Sequence, residues 1–123
     1  MSLPDIIRDR QVAELRAVAR AMIEGRVHLV EGARRIDALR FDIEENVQEI
    51  FNPIISFVDD TEDCPLGDLR AEYEPNYLKR LDEKTNKIIE DDQADVLAAC
   101  EEILRVFPEK SIGQTERKDG ISS

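Results

Sequence analysis

An all-α bundle of four to five helices is the fold class this sequence predicts, and three observations predict it. Apolar residues recur at three- and four-residue spacing through most of residues 4–107, which is the period of a helix with one buried face. Four Phe, two Tyr and no Trp leave the core to Leu, Ile, Val and Ala, which suits helix packing better than a sheet sandwich. A length of 123 residues, 41% hydrophobic and 37% charged, is enough for one core and not two, and lies far from a disordered composition. Residues 1–108 are therefore expected to form a single helical domain, followed by a tail over 109–123.

The first helix is expected from Pro4 to about Gly25. Pro4 suits the first turn, Asp5 the positive end of the dipole, and Val12, Leu15, Ala19, Met22 and Ile23 share a stripe that Gly25 ends. Its arginines lie mainly off that stripe, either as a solvated face with pairs such as Arg10 with Glu14 and Arg20 with Glu24 or paired internally with the acidic middle of the chain. A second helix is expected from about His28 to Ile43, with Leu29, Ala33, Ile36, Leu39 or Arg40, and Ile43 on one side. Gly32 inside it costs about 1 kcal/mol relative to Ala, which points to a close helix contact or to a start nearer Glu31. His28, the only histidine, has no Cys, Asp or Glu at ligand spacing and reads as a cap or surface residue.

Asn46 to Val58 carries the most hydrophobic stripe, Val47, Ile50, Phe51, Ile54, Ile55 and Val58, and reads as the central core helix. Pro53 either kinks it or stands at the first position of a new helix capped by Asn52. The stripe breaks off into Asp59-Asp60-Thr61-Glu62-Asp63-Cys64-Pro65-Leu66-Gly67, four carboxylates and then a Pro-x-Gly turn. Carboxylates at the negative pole of a helix are locally unfavourable and call for a compensating cation. A conflict of this kind between sequence and local preference marks a candidate working face.

Leu69 to Tyr73 is expected to form a short helical turn before Pro75. From Pro75 to Phe107 the stripe Tyr77, Leu78, Leu81, Thr85, Ile88, Ile89, Val96, Leu97, Cys100, Ile103, Leu104 and Phe107 is helical, as one bent helix or as two with Asp91 or Asp92 capping the second. Pro108 ends it, and Glu109 to Ser123 is polar, without periodicity, and expected to be flexible.

The net charge of −11 is concentrated in one stretch. Residues 1–40 hold eight Arg against six acids, residues 41–74 one Arg against eleven acids, and residues 75–123 eight Lys or Arg against eleven acids. Such a field repels nucleic acid and anionic membrane and steers basic partners in. No run of about 18 apolar residues spans a membrane, and the N-terminus lacks the basic start and apolar stretch of a secretory signal, so a cytoplasmic protein is expected. Cys64 and Cys100 sit in unlike contexts and read as reduced thiols.

The candidate chemistries are few. An EF-hand loop begun at Asp59 needs Gly at its sixth position and Glu at its twelfth, where Cys64 and Arg70 stand. Glu44, Glu45 and Glu49, with Asp92 and Asp95, resemble the carboxylate pairs of a Mg-dependent helical nucleotide pyrophosphohydrolase, but the first pair is spaced by four and Asp92 replaces Glu. No nucleophile elbow, glycine-rich phosphate loop or basic-aromatic pattern occurs. The expectation is no enzyme, no catalytic or metal-ligating residues and no cofactor.

Gly25-x3-Leu29-x-Glu31-Gly32-x-Arg34-Arg35-Ile36, followed by Asp59 to Gly67, Arg70 and Tyr73, resembles a family of small, acidic, helical bacterial proteins of uncharacterised function. That family pairs an E-G-x-R helix with an acidic D-S-E-T-D-x-x-P-x-G turn and a following aromatic. The likeness covers about residues 18 to 105; Asp60 stands where Ser is usual, and the turn before Pro65 is one residue shorter. Such proteins are similar in size, charge and helicity to immunity proteins that neutralise basic secreted toxins. The functional expectation is an acidic protein-binding module of immunity type presenting Asp59, Asp60, Glu62, Asp63, Asp68, Glu72 and Glu74 to a basic protein partner. The alternatives are a structural homodimer, whose loop merely keeps it soluble or pairs with its own Arg34, Arg35 and Arg70, and the hydrolase.

Overall fold

The computed structural model describes residues 3–43 and 45–108, apart from the side chains of residues 3, 4 and 45–47. The tail expected over 109–123 and Glu44 lie outside the described residues. Four α-helices, α1 (Leu3–Ile23), α2 (Leu29–Leu39), α3 (Asn52–Asp60) and α4 (Pro75–Val106), make an all-α bundle, with 3-10 segments at Arg40–Asp42, Glu45–Phe51 and Gly67–Glu72 in the connections.

The end of α1 follows from Gly25, which takes a φ of +75° that a side chain would strain. Around it Gly25 N–H donates to Met22 O at 3.2 Å and Arg26 N–H to Ala21 O at 2.8 Å, the paired bonds of a Schellman cap. His28 is a cap, as expected: its Nδ1 accepts from Val30 N–H at 3.2 Å and opens α2. The second helix stops at Leu39, earlier than Ile43. There the chain tightens to 3-10, and Gln48 Nε2 donates to the carbonyls of Arg40 and Ile43 at 2.8 and 3.1 Å.

Pro53 starts a new helix and does not kink an old one, but Asn52 is its first residue and not its cap; Phe51 holds the cap position without a side-chain bond. The turn expected at Leu69–Tyr73 is the 3-10 segment Gly67–Glu72. From Pro75 onward α4 runs unbroken for 32 residues, about 48 Å, so neither Asp91 nor Asp92 caps anything. Its own cap is Glu74, whose carboxylate accepts from Asn76 and Tyr77 N–H at 3.1 and 2.9 Å.

α1 and α3 each pack on both α2 and α4, so four walls share one core and the segment 46–58 is one wall, not the central helix. Val12, Leu15, Val18, Ala19 and Met22 of α1 meet Val30, Ala33 and Ile36 of α2, Ile54 and Phe57 of α3, and Val96, Ala99, Cys100 and Ile103 of α4 in one buried cluster. Phe51 and Phe107, both buried, stack with centroids 6.4 Å apart and tie the entry of α3 to the exit of α4. Tyr77, expected on the buried stripe, is instead 45% exposed.

Gly32 marks a close helix contact, the first of its two readings. A Cβ there would lie 2.5 Å from Met22 Cγ, so a side chain at this point of the α1–α2 contact would force Met22 to shift. The i,i+4 pairs expected along α1 give way to other pairs: Glu14 bonds Arg35 of α2 at 2.5 Å, and Glu24 bonds Arg26 at 2.7 Å.

Candidate functional site

The acidic stretch begins as helix and ends as turn. α3 continues through Asp60, so Asp59 and Asp60 occupy its last turn, and Thr61, Glu62 and Asp63 form the turn that follows. Thr61 is the C-cap; its N–H donates to Phe57 O at 3.1 Å and its buried Oγ1 donates to the same carbonyl at 2.8 Å. Cys64 and Pro65 are buried, which anchors the far side of the turn, and Glu62 and Asp63, between buried Thr61 and Cys64, are exposed.

The compensating cation is Arg34. From the middle of α2 its Nη2 donates to Thr61 O at 2.7 Å and Cys64 O at 2.8 Å, placing positive charge on the carbonyl end of α3. Arg70 acts in the same way a turn later: it donates to Pro65 O at 3.2 Å and forks onto Asp82 of α4 at 3.0 and 2.6 Å. This pair raises the Arg70 pKa and lowers that of Asp82, in each case chiefly through the shared hydrogen bond. Asp63 reaches Lys84 at 3.2 Å, with both groups exposed. The turn and the 3-10 segment after it thus lie along the first third of α4.

Asp59, Asp60 and Glu62 are exposed and make no ion pair or side-chain hydrogen bond with another described residue. Arg34, Arg35 and Arg70 do not neutralise the acidic turn: Arg34 holds backbone, Arg35 holds Glu14, and Arg70 holds backbone and Asp82. Asp68 and Glu72 are exposed in the 3-10 segment. Glu74 is committed elsewhere, as the cap of α4, and its two backbone bonds hold its carboxyl below the usual range. Arg34 and Arg70, which the sequence offers as internal partners of the loop, do bond it, but on its carbonyls and not on its carboxylates, a choice of atoms that sequence reading did not foresee.

Among the described residues no three His, Cys, Asp or Glu side chains gather to hold a metal ion, and no helix is long and apolar enough to cross a membrane. Glu44 and the side chain of Glu45 lie outside the described residues. Cys64 and Cys100 are free and buried, and desolvation pushes the Cys100 thiol up to about 12.

No curated protein and no solved structure matches this chain. One family model matches residues 7–103, and the chain belongs to that family, described as Protein of unknown function (DUF2489).

Proposed function

We propose that this chain is an acidic protein-binding module whose working face is Asp59, Asp60 and Glu62, flanked by Asp63, Asp68 and Glu72, and whose partner is a basic protein. One observation carries the reading: three carboxylates stand in solvent without a cation among the described residues, while Arg34 and Arg70 hold carbonyls of the same turn and Asp82. Such an arrangement uses its internal cations for rigidity and keeps the carboxylates available, which favours fast, steered association. Cytoplasmic inhibition of a basic toxin, in the manner of immunity proteins, is the most concrete form of this function.

The immunity reading is tested by co-expression with a basic toxin encoded beside this chain. The wild-type chain should abolish toxicity, and replacing Asp59, Asp60 and Glu62 together by Lys should restore it with helicity unchanged. Equal protection by the reversed variant would remove these residues from the interface.

A second reading, the structural homodimer, is favoured by a different surface. Ile6 at 39%, Ile7 at 47% and Phe41 at 70% exposure put large apolar groups in solvent near the bond from Gln11 to Asp42. Light scattering across a hundredfold concentration range tests it, and a constant monomer mass excludes it.

A further inference from the structure

Tyr73 and Tyr77 are the only tyrosines of the chain, and they stack where the 3-10 segment that follows the acidic turn leads into α4. Their rings are near parallel, 4° apart in tilt with centroids 6.0 Å apart; Tyr77 is 45% exposed and Tyr73 half-buried. Leu69, four residues before Tyr73, is 51% exposed. The platform is held from below: Arg70 fixes the 3-10 segment to α4 through Asp82, and the Glu74 cap fixes the first turn of α4, so both rings stand on restrained backbone. Exposed Asp68 and Glu72 flank it.

Stacked aromatic rings that reach solvent among carboxylates suit a planar cation. The ring faces attract guanidinium through their quadrupole, the alkyl stem covers apolar surface such as Leu69, and neighbouring cations find carboxylates. Arg80 of the chain itself stands over the Tyr77 ring at 5.7 Å from its centroid, the outer limit for such a contact, so an arginine of the partner competes with it there and meets Tyr73 without that competitor. We propose that the Tyr73–Tyr77 stack, with Leu69, is the anchor for an arginine-rich segment of the protein partner, its other cations pairing with Asp68, Glu72 and the acidic turn. This rests on the basic-partner reading above and specifies what in the partner is gripped: arginine in preference to lysine. The charge of the flanking stretch, one Arg against eleven acids over residues 41–74, supplies the complementarity.

The chain provides its own reporter. With no Trp, its intrinsic emission comes from these two tyrosines alone. The full chain is titrated at about physiological salt with capped nona-arginine and nona-lysine, followed by tyrosine emission and by calorimetry. The expected result is a saturable change in emission with nona-arginine and an affinity several-fold above that for nona-lysine. Replacing both tyrosines by Leu should cost about fivefold in affinity for nona-arginine and erase the preference, with circular dichroism unchanged. The Tyr73→Phe, Tyr77→Phe variant should keep both, because the ring faces remain. Calorimetric binding with silent tyrosines, lost instead in Asp59→Asn, Asp60→Asn, Glu62→Gln, would overturn the anchor and leave the acidic face standing. Equal affinity for the two peptides in the wild-type chain also overturns the anchor, and binding of neither peptide overturns both readings.

Discussion

The guanidinium of Arg34 donates to the main-chain carbonyl of Thr61 across 2.7 Å, joining the middle of α2 to the cap of α3. The same nitrogen bonds Cys64 O, so one side chain satisfies both ends of the acidic turn. A helix that closes on Asp59 and Asp60 has the wrong charge at its carbonyl end, and a cation directed at backbone offsets this without consuming a carboxylate.

Removing that cation should be costly. Arg34→Ala leaves two carbonyls without their charged donor, and we expect a loss of about 2 kcal/mol in unfolding free energy, read as a lower urea midpoint at unchanged slope. Arg34→Lys should recover part of it, since an ammonium keeps the charge and can donate twice from one nitrogen but sits on a differently shaped stem. A change below about 0.5 kcal/mol for Arg34→Ala would mean the turn is held by Thr61, Cys64 and Pro65 alone.

Gly32→Ala pits propensity against space. Ala gains about 1 kcal/mol in a helix interior, but its methyl meets Met22 Cγ at 2.5 Å, Met22 Sδ at 2.6 Å and Val27 Cγ1 at 3.3 Å inside the α1–α2 contact. Overpacking of about 1–3 kcal/mol should win, giving a net destabilisation of about 1 kcal/mol. Pairing it with Met22→Ala should be clearly less than additive. A stabilised Gly32→Ala chain would show that Met22 swings aside freely.

Phe51→Ala removes a fully buried ring and its stack on Phe107, and should cost about 3–5 kcal/mol, enough to threaten folding at 37 °C. Phe51→Leu keeps volume and should cost less than half as much. Thermal melts of the two variants decide whether this contact closes the bundle.

Acid should weaken the braces in a defined direction. Asp82 and Glu74 have pKa values lowered in the folded chain, by the Arg70 bond and by two backbone bonds respectively. Their contribution is therefore complete above the unfolded carboxylate value of about 4 and is lost as pH falls through the lower folded values. Asp82→Asn with Glu74→Gln should flatten the fall in melting temperature below about pH 4, relative to the wild-type chain. An identical acid limb in the variant would locate the acid sensitivity elsewhere.

Both thiols should be silent to Ellman's reagent in the native state, since Cys64 and Cys100 are buried. Cys100, desolvated and pushed up to about 12, should react only at the rate of unfolding, accelerating in step with urea. Rapid labelling of Cys100 in native buffer would contradict its place on the buried face of α4, against Met22 of α1.

Helix identity was written in local pattern, because burial of one face dictates a period that neighbouring residues display. Gly25 as a stop, His28 as a cap and Val12, Leu15, Ala19 and Met22 as core all follow from spacing and intrinsic preference. The pattern misled at Tyr77, which lies on the stripe of α4 and is nevertheless 45% exposed. At Asp91 it left one helix or two open, and the single helix holds because one exposed Asp costs too little to end 32 cooperative residues.

By itself the sequence determined an all-α chain with its negative charge gathered after the most apolar segment, since composition and period are properties of neighbours along the chain. Which cation answers that charge, and on which atoms, was decided only by tertiary structure. Arg34 is 27 residues from Thr61 and Arg70 is 12 from Asp82, and no local rule pairs residues so separated. Packing of α2 and α4 against α3 brought the two guanidinium groups to carbonyls and to Asp82, leaving Asp59, Asp60 and Glu62 in water.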